Sequence, residues 1–444
     1  MLALATPAHA QRAWSDPEPI ANPLPGIAQA AVAADGTRIV ASETTDAIGD
    51  TRLTVRFNDA APVNLGLAQS AALVAAAPGG RAVVAYTASP TGTAHGVAVF
   101  TLPDGTFTAP QDLGAGVPLA LAMNAAGDAV VVTKRPDVCQ ADVCVGATNS
   151  QTAFRPADGA FGTPVDLPVG SLAGLAIDGA GNQSYGLTTG GFSVASRHRG
   201  DALAAPVPLS AEASFGTVAA DGQGRVLAVW NENDASILTA VRSAAGSWGT
   251  PNSLALPAAV RSVVAGVDSA GDAVVAWRDV EDVFGPNGGP LRVATGSLAD
   301  GRLSAPQTLD PGSGSGPQLA TAPDGSTIIA ETNAVTQSVR VVRRDGTGAF
   351  GVPQVAACHA KGPPDFSVGG IGPDGVATLV VERALVHDAA ATTASNRICR
   401  IPESPRSPSA TYSRTPVVAG EPVMLYPDVR RADFDVTSYA FDLN

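Results

Sequence analysis

The sequence Val267-Asp268-Ser269-Ala270-Gly271-Asp272-Ala273-Val274-Val275-Ala276-Trp277 decides the fold of this chain. It combines a strand of small residues, a tight turn and a second strand that is almost continuously apolar. Glycine supplies the positive φ that such a turn needs, and continuous apolarity indicates a strand buried on both faces. Equivalent stretches recur every 43 to 54 residues, with turn glycines at Gly36, Gly80, Gly127, Gly181, Gly224, Gly325 and Gly375.

A proline marker keeps step with these glycines. In every unit a proline precedes the turn glycine by 17 to 22 residues, and an aromatic residue or leucine, such as Phe107 or Trp248, often precedes the proline. Proline cannot donate a backbone hydrogen bond, so this segment is predicted to be the outermost, edge strand of its unit. Between the hairpin and the next proline segment lies another strand, which often ends in Asp-Gly. Each unit therefore has four strands. The prolines are Pro17, Pro62, Pro110, Pro164, Pro206, Pro251, Pro306 and Pro353.

Units of this length and strand content predict an all-β fold, a β-propeller of four-stranded blades. Eight units favour eight blades, with seven as the alternative. The chain begins with a proline strand at 14–20 that has no partners before it, and the eighth unit lacks such a strand. We therefore expect the N-terminal strand to pair with the last blade, whose third strand is expected at 396–401, and to close the ring.

The turn Asp104-Gly105-Thr106-Phe107 resembles the repeats of sialidase-like or BNR (Asp-box) propellers, and Trp248 repeats its aromatic anchor. The resemblance covers about residues 12 to 403. It implies a propeller and, for an active sialidase, converging arginines, an acid, and an Arg-Ile-Pro motif near the start. The single such tripeptide, Arg400-Ile401-Pro402, lies at the other end of the chain.

The flanks of the propeller differ in composition. Residues 1–10 end in Ala8-His9-Ala10, an A-x-A pattern that predicts a signal-peptide remnant and a secreted or cell-surface protein. The propeller is predicted at 11–403 and a proline-rich linker at 404–408. Residues 409–444 resemble the start of a PKD-type, Ig-like domain, which implies a partial β-sandwich, shorter than a complete domain of roughly 100 residues.

Charge and cysteine content narrow the classes further. A net charge of −13 disfavours nucleic acid as a partner, and no apolar run reaches the ~18 residues of a transmembrane span. We expect a monomer. Four cysteines beside an export signal predict disulfides Cys139–Cys144 and Cys358–Cys399. Zinc is the competing interpretation, but there is no CxxC pair.

The sequence contains no recognisable catalytic constellation. It has no GxSxG or HExxH motif and no histidines at metal-ligand spacing, so we predict no cofactor, no metal and no catalytic residues, and enzymatic activity is not favoured. Connections between second and third strands share one end of a propeller, and loops on a rigid scaffold often carry function. The predicted ligand face is there, with a solvated acidic rim as the alternative: Glu43, Asp46, Glu232, Asp234, Arg278, Asp279, Glu281 and Asp282.

Two functions from different classes follow. The favoured hypothesis is a non-enzymatic binding or adhesion scaffold for glycan or protein. The alternative is a sialidase-like glycan hydrolase or lyase with its site in the central funnel, which requires arginines and carboxylates there. A third hypothesis is that the chain is a purely structural spacer. Trp230 and Trp277 share one register, which favours packing between blades over sugar stacking.

Overall fold

The computed structural model describes residues 13–14, 18–19 and 28–389, except 46–49, 69, 89–94, 103, 136–137, 141–142, 146–149, 233–235, 281–288, 312–313, 315, 334–337, 359–365 and 382–383. These residues form seven four-stranded antiparallel sheets, one five-stranded sheet and a two-stranded hairpin. Every element is a strand. With the five-stranded sheet as the closing blade, this is the predicted propeller of eight blades.

The strands follow one another from the axis outwards within each blade. Blade 1 is β3 (Ala28–Val32), β4 (Arg38–Thr45), β5 (Thr51–Phe57) and β6 (Val63–Leu67). Blade 2 is β7 (Ser70–Ala77), β8 (Arg81–Ala88), β9 (His95–Phe100) and β10 (Gln111–Ala115). Blade 3 is β11 (Val117–Met123), β12 (Ala129–Lys134), β15 (Ser150–Arg155) and β16 (Val165–Asp166), with the hairpin β13 (Val138–Gln140) and β14 (Val143–Val145) inserted. Blade 4 is β17 (Ser171–Ile177), β18 (Gln183–Thr188), β19 (Phe192–Arg197) and β20 (Val207–Ser210).

The second half repeats this order. Blade 5 is β21 (Ala213–Ala220), β22 (Val226–Glu232), β23 (Ser236–Arg242) and β24 (Asn252–Ala255). Blade 6 is β25 (Val260–Val267), β26 (Asp272–Asp279), β27 (Leu291–Ser297) and β28 (Gln307–Asp310). Blade 7 is β29 (Gln318–Thr321), β30 (Thr327–Asn333), β31 (Ser338–Arg344) and β32 (Gln354–Cys358). Blade 8 is β33 (Phe366–Ile371), β34 (Ala377–Val381) and β35 (Ala384–Ala389), completed by β1 (Ala13–Trp14) and β2 (Glu18–Pro19).

The first hairpin of each blade turns as the sequence predicts. All eight turn glycines have positive φ, with Gly271 at 89°. In the opening stretch the Asp268 carboxylate accepts the backbone N–H groups of Ala270 and Asp272, each at 2.9 Å. A short acceptor side chain fixes a turn in this way, because it accepts hydrogen bonds from backbone N–H groups for which the turn offers no backbone acceptor. Glycine and aspartate together therefore set the register of the two strands.

The second strand of each blade lies in the core. Every residue of β26 from Ala273 to Asp279 is buried, and the indoles of Trp230 and Trp277 are both 0% exposed. The Trp230 ring stacks on Phe192 of the preceding blade, with centroids 5.7 Å apart. The prediction that these tryptophans pack between blades is confirmed.

The outermost strands begin where the prolines end. In blades 1 to 7 the outermost strand starts at the residue after the marker proline, as at Val63, Val207 and Asn252. In the closing sheet β2 likewise starts at Glu18, after Pro17. Proline fits at this boundary because the residue before the strand donates no hydrogen bond to the sheet, so its missing N–H removes none.

The N-terminal strands close the ring. Ala13 pairs with Ala389 and Glu18 pairs with Leu385, so β1 and β2 form the outer edge of blade 8. The closure is as predicted, but the third strand of this blade is Ala384–Ala389, so its expected place at 396–401 was wrong. The short step from Val381 to Ala384 brings the chain back earlier than in the other blades.

The innermost strands surround the axis and contact one another in a closed ring from β3 to β33 and back. They consist mainly of alanine, valine, leucine, glycine, serine and threonine. None of the eight carries Asp or Glu, and Arg261 is the single charged residue in them. A funnel built from these strands supplies no carboxylate pair for glycoside hydrolysis.

The cysteines of the inserted hairpin lie directly opposite each other, because Cys139 pairs with Cys144 across β13 and β14. Opposite Cα atoms of an antiparallel pair are about 4.5–5.5 Å apart, which a disulfide spans. This disulfide stays a prediction compatible with the register. Cys358 ends β32, and its predicted partner Cys399 lies outside the described residues.

The chain divides into two compact units, residues 1–399 and 400–444. The second unit lies outside the described residues, as do the predicted leader, linker and partial sandwich. Among the residues described, no helix has the length and apolarity needed to cross a membrane.

Candidate functional site between blades 5 and 6

The ligand face predicted from sequence lies at the end of the propeller where second strands run into third strands. Asp46, Asp234, Glu281 and Asp282 fall outside the described residues. Glu43 is half-buried, and burial raises its pKa. The carboxylate of Glu232 accepts a hydrogen bond from the Ser210 hydroxyl at 2.7 Å. The structure does not bring these two residues together, because they belong to blades 1 and 5.

Arg278 and Asp279 are each 1% exposed and lie inside the protein. Arg278 forms a buried ion pair with Glu331 of blade 7 and also donates to the Gly289 carbonyl. Asp279 accepts from the Trp277 indole N–H at 3.2 Å and pairs with Arg292. We call this group the buried charge cluster; its members are Arg278, Asp279, Arg292, Asp310, Glu331 and Arg340.

The buried charge cluster joins blade 6 to blade 7. Arg340 of β31 pairs with Asp310 of β28 at 2.8 Å, and Arg278 of β26 pairs with Glu331 of β30. Burial raises the pKa of Glu331 to about 8; Arg278 opposes this shift and the Asp310 carboxyl reinforces it. Because Arg278, Asp279, Asp310 and Glu331 are all inaccessible to solvent, this cluster bridges the two blades inside the protein and offers a ligand little surface.

An open cleft lies at the opposite end of the propeller, between blades 5 and 6. It has a volume of about 570 Å³, within the usual range for a small-molecule site. We call it the inter-blade cleft. Its lining comes from the first turn of blade 5, the last connection of blade 5 and the last turn of blade 6: Gln223, Arg225, Val241, Ser243, Ala244, Ser247, Trp248, Gly249, Thr250, Leu298, Ala299 and Asp300.

Trp248 is the aromatic wall of the inter-blade cleft. It occupies the aromatic position of the repeat, three residues before the marker proline, and bridges to Arg242 at the start of the connection. The ring is half-buried, packs against the core around Trp230 on one side, and lines the cleft. Ser243 and Ser247 beside it are exposed hydroxyls.

Arg225 is the cationic wall. It follows the turn glycine Gly224, and its Nε donates to the buried Asp221 carboxylate at 2.6 Å. One terminal nitrogen, Nη2, donates to the Ala270 carbonyl of blade 6 at 3.1 Å. The other, Nη1, has no acceptor among the described residues. Arg225 therefore lines the cleft in a fixed orientation with N–H groups available to a ligand.

Asp300, in the last turn of blade 6, lines the same cleft as Arg225. Its carboxylate accepts only the backbone N–H of Arg302, at 3.0 Å, among the residues described, and the side chain is exposed. The same turn reaches blade 5 by main chain, because Thr239 and Asn252 donate to the carbonyls of Gly301 and Asp300. The turn is thus held in place while its carboxylate is left unpaired.

Sequence reasoning did not select Arg225 or Asp300. The repeat pattern predicts Trp248 as an architectural anchor and Asp300-Gly301 as a turn, whereas the predicted ligand face lies at the other end of the blades. A comparison of the repeats does single out Trp248, because it is the one tryptophan at this position from blade 2 to blade 7. In the described part of the chain, no cluster of three or more potential metal ligands occurs.

Known proteins were compared with the chain. No family model and no curated protein matches the sequence. The Dos1 propeller matches in structure with a TM-score of 0.52 at 11% identity, over 86% of this chain and 96% of that chain. The chain has a β-propeller fold. The resemblance to sialidase-like and PKD-type families finds no match and stays a prediction.

Other propellers match less closely. The BP39L lectin from Burkholderia pseudomallei has a TM-score of 0.49 at 16% identity, over 75% of this chain and 99% of that one. The β-propeller domain of the Trilobed protease from Pyrococcus furiosus has a TM-score of 0.44 at 10% identity, over 74% and 98%. At these identities the likeness concerns architecture alone.

Proposed function

We propose that this chain is a non-enzymatic, carbohydrate-binding β-propeller that acts outside the cell or at its surface. The observation that carries the proposal is the inter-blade cleft, which places the half-buried Trp248 ring beside exposed hydroxyl and carboxylate groups and the partly buried Arg225 guanidinium. Sugar rings combine an apolar face with a rim of hydroxyls, so an aromatic wall with nearby donors and acceptors is the chemistry that binds them. The A-x-A pattern at Ala8-His9-Ala10 supports export.

The size of the site favours a glycan over a folded protein partner. A cleft of about 570 Å³ fits a sugar of one or two rings, whereas a stable protein interface needs at least about 1,000 Å² of matched surface. A hydrolase in the central funnel finds no support, since the innermost strands lack carboxylates.

Substitution of the aromatic wall tests the proposal. Blades 4 and 6 carry Leu203 and Leu303 where blade 5 has Trp248, so Trp248→Leu replaces the ring with a residue that this position accepts. We expect binding to a glycan array, followed by calorimetric titration of the best hit, to weaken at least about fivefold, which is about 1 kcal/mol of lost stacking. Phe107→Leu is the matched control, because it replaces the aromatic residue at the equivalent position of blade 2 by leucine.

The control variant is expected to bind as the unaltered protein does. Equal weakening in both variants would place the loss in blade packing, and an array without any sugar hit would refute the function. Thermal unfolding of both variants checks that the propeller remains folded.

A further inference from the structure

The lining of the inter-blade cleft contains one arginine and one aspartate, but its arginine pairs with a carboxylate outside the lining. Arg225 is the one cationic side chain in the lining, and the buried carboxylate of Asp221 lies against its Nε at 2.6 Å. The charge of Arg225 is therefore offset before any ligand arrives. Asp300 is exposed and has no cationic partner among the described residues. The lining as a whole thus carries an uncompensated negative charge.

The equivalent boundary between blades 2 and 3 carries the same residue types in a different pairing. Arg81 occupies the place of Arg225, and it too donates to a carbonyl of the next blade, that of Ala126 at 2.9 Å. Asp158 occupies the place of Asp300, and here the two form an ion pair at 3.7 Å. The position of Asp221 is taken by Ala77 in blade 2, which cannot compete for the arginine.

Two differences separate these boundaries. Blade 5 has Asp221 where blade 2 has Ala77, and blade 6 has Ser297 where blade 3 has Arg155, whose charge interacts with Asp158. In blade 5, Asp221 accepts two backbone N–H groups of its own turn and then the Arg225 guanidinium, so that arginine is held away from Asp300. In blade 2 the turn has Ala77 in place of that carboxylate, and Arg81 pairs with Asp158 of blade 3. Asp221 thus leaves a free carboxylate in the cleft that contains Trp248.

We infer that the inter-blade cleft between blades 5 and 6 selects uncharged sugars and discriminates against acidic ones, such as uronates. The inference rests on the proposed function and adds the ligand class. The Asp300 carboxylate accepts hydrogen bonds from two hydroxyl groups of a neutral ring, and Arg225 Nη1 donates a hydrogen bond to a hydroxyl oxygen. A carboxylated sugar in the same place brings a second negative charge within a few ångströms of Asp300. Two unit charges at about 4 Å in water repel enough to change affinity about fivefold.

The test uses matched pairs of sugars. Glucose and galactose oligomers are titrated against the unaltered protein beside glucuronate and galacturonate oligomers of the same length, at low ionic strength. We expect the neutral oligomer of at least one pair to bind about fivefold or more tightly than its uronate. Asp300→Asn, which keeps the size and removes the charge, is expected to reduce this ratio about fivefold. Asp158→Asn, at the equivalent turn of blade 3, is the control and leaves the ratio unchanged.

The outcomes separate the two proposals. A uronate that binds as tightly as its neutral partner, or a ratio that Asp300→Asn does not change, overturns the selectivity while leaving sugar binding in place. Absence of binding by every sugar in the panel overturns both. Raising the salt concentration provides a further readout. Screening should lower the ratio of neutral-sugar to uronate affinity in the unaltered protein and leave it unchanged in Asp300→Asn.

Discussion

Glu331→Gln tests the electrostatics that hold blades 6 and 7 together. The Glu331 carboxyl is 1% exposed, pairs with Arg278, and lies beside Asp310 in the buried charge cluster. Burial penalises its ionised form, and with the Asp310 carboxyl it raises the pKa to about 8 against the opposing effect of Arg278. Glutamine has nearly the same shape and cannot ionise, so the variant isolates the protonation of this one group.

The expected pH dependence follows from the difference between folded and unfolded states. The unfolded chain releases the Glu331 proton near pH 4.5, whereas the folded chain keeps it until about pH 8. Between these values the folded state binds more protons, so rising pH lowers the free energy of unfolding. Each pKa unit corresponds to about 1.4 kcal/mol, and from pH 5 to pH 8 the loss from Glu331 is about 3–4 kcal/mol. The variant lacks this loss.

The measurement is urea unfolding followed by tryptophan fluorescence at pH 5, 6, 7 and 8. We expect the stability of Glu331→Gln relative to the unaltered protein to improve by about 3–4 kcal/mol across this range. Asp345→Asn is the control, because Asp345 forms an exposed ion pair with Arg343 on the same blade, and such pairs contribute less than about 1 kcal/mol. A difference for Glu331→Gln that stays constant with pH would refute the reasoning and show that Arg278 keeps the carboxyl ionised.

Two further predictions concern a glycine turn and a disulfide. Gly271→Ala places a methyl group at a residue with φ of 89°, where it meets the Arg225 guanidinium, whereas Gly190→Ala has a similar φ of 82° and no atom within 4 Å of the added group. By thermal denaturation we expect Gly190→Ala to lower the free energy of unfolding by about 1–2 kcal/mol, and Gly271→Ala to lower it by at least about 1 kcal/mol more. Cys139 and Cys144 face each other across β13 and β14, so peptide mass analysis after alkylation without reductant should find neither thiol modified, and two modified thiols would exclude the disulfide.

Most of the architecture was predictable because it depends on local chemistry that repeats. The glycine of each first turn, the proline before each outermost strand and the apolar second strand are all confirmed. Closure by the N-terminal strand also followed, because one proline strand at the start lacked a sheet and one sheet at the end lacked a strand. The third strand of blade 8 was misplaced, since an irregular repeat gives no marker for it.

The candidate site was less accessible to sequence reasoning. Arg278 and Asp279 follow a buried strand and precede an insertion, which is the pattern of a surface rim. Their burial depends on Glu331 and Arg292, which lie 53 and 13 residues further along the chain and complete the ion pairs. A charged residue is stable inside a protein only with such partners, and no local pattern announces them.

The sequence by itself determined the four-stranded blade and the closure of the ring and favoured eight blades over seven, because each follows from turn geometry, missing backbone donors and apolar periodicity within about fifty residues. The tertiary structure alone decided which charged groups are buried and which remain available to a ligand. Arg225 pairs with Asp221 of its own turn, while Arg81 pairs with Asp158 across the boundary between blades 2 and 3. The physical reason is competition for one guanidinium among carboxylates that only the assembled blades bring within reach.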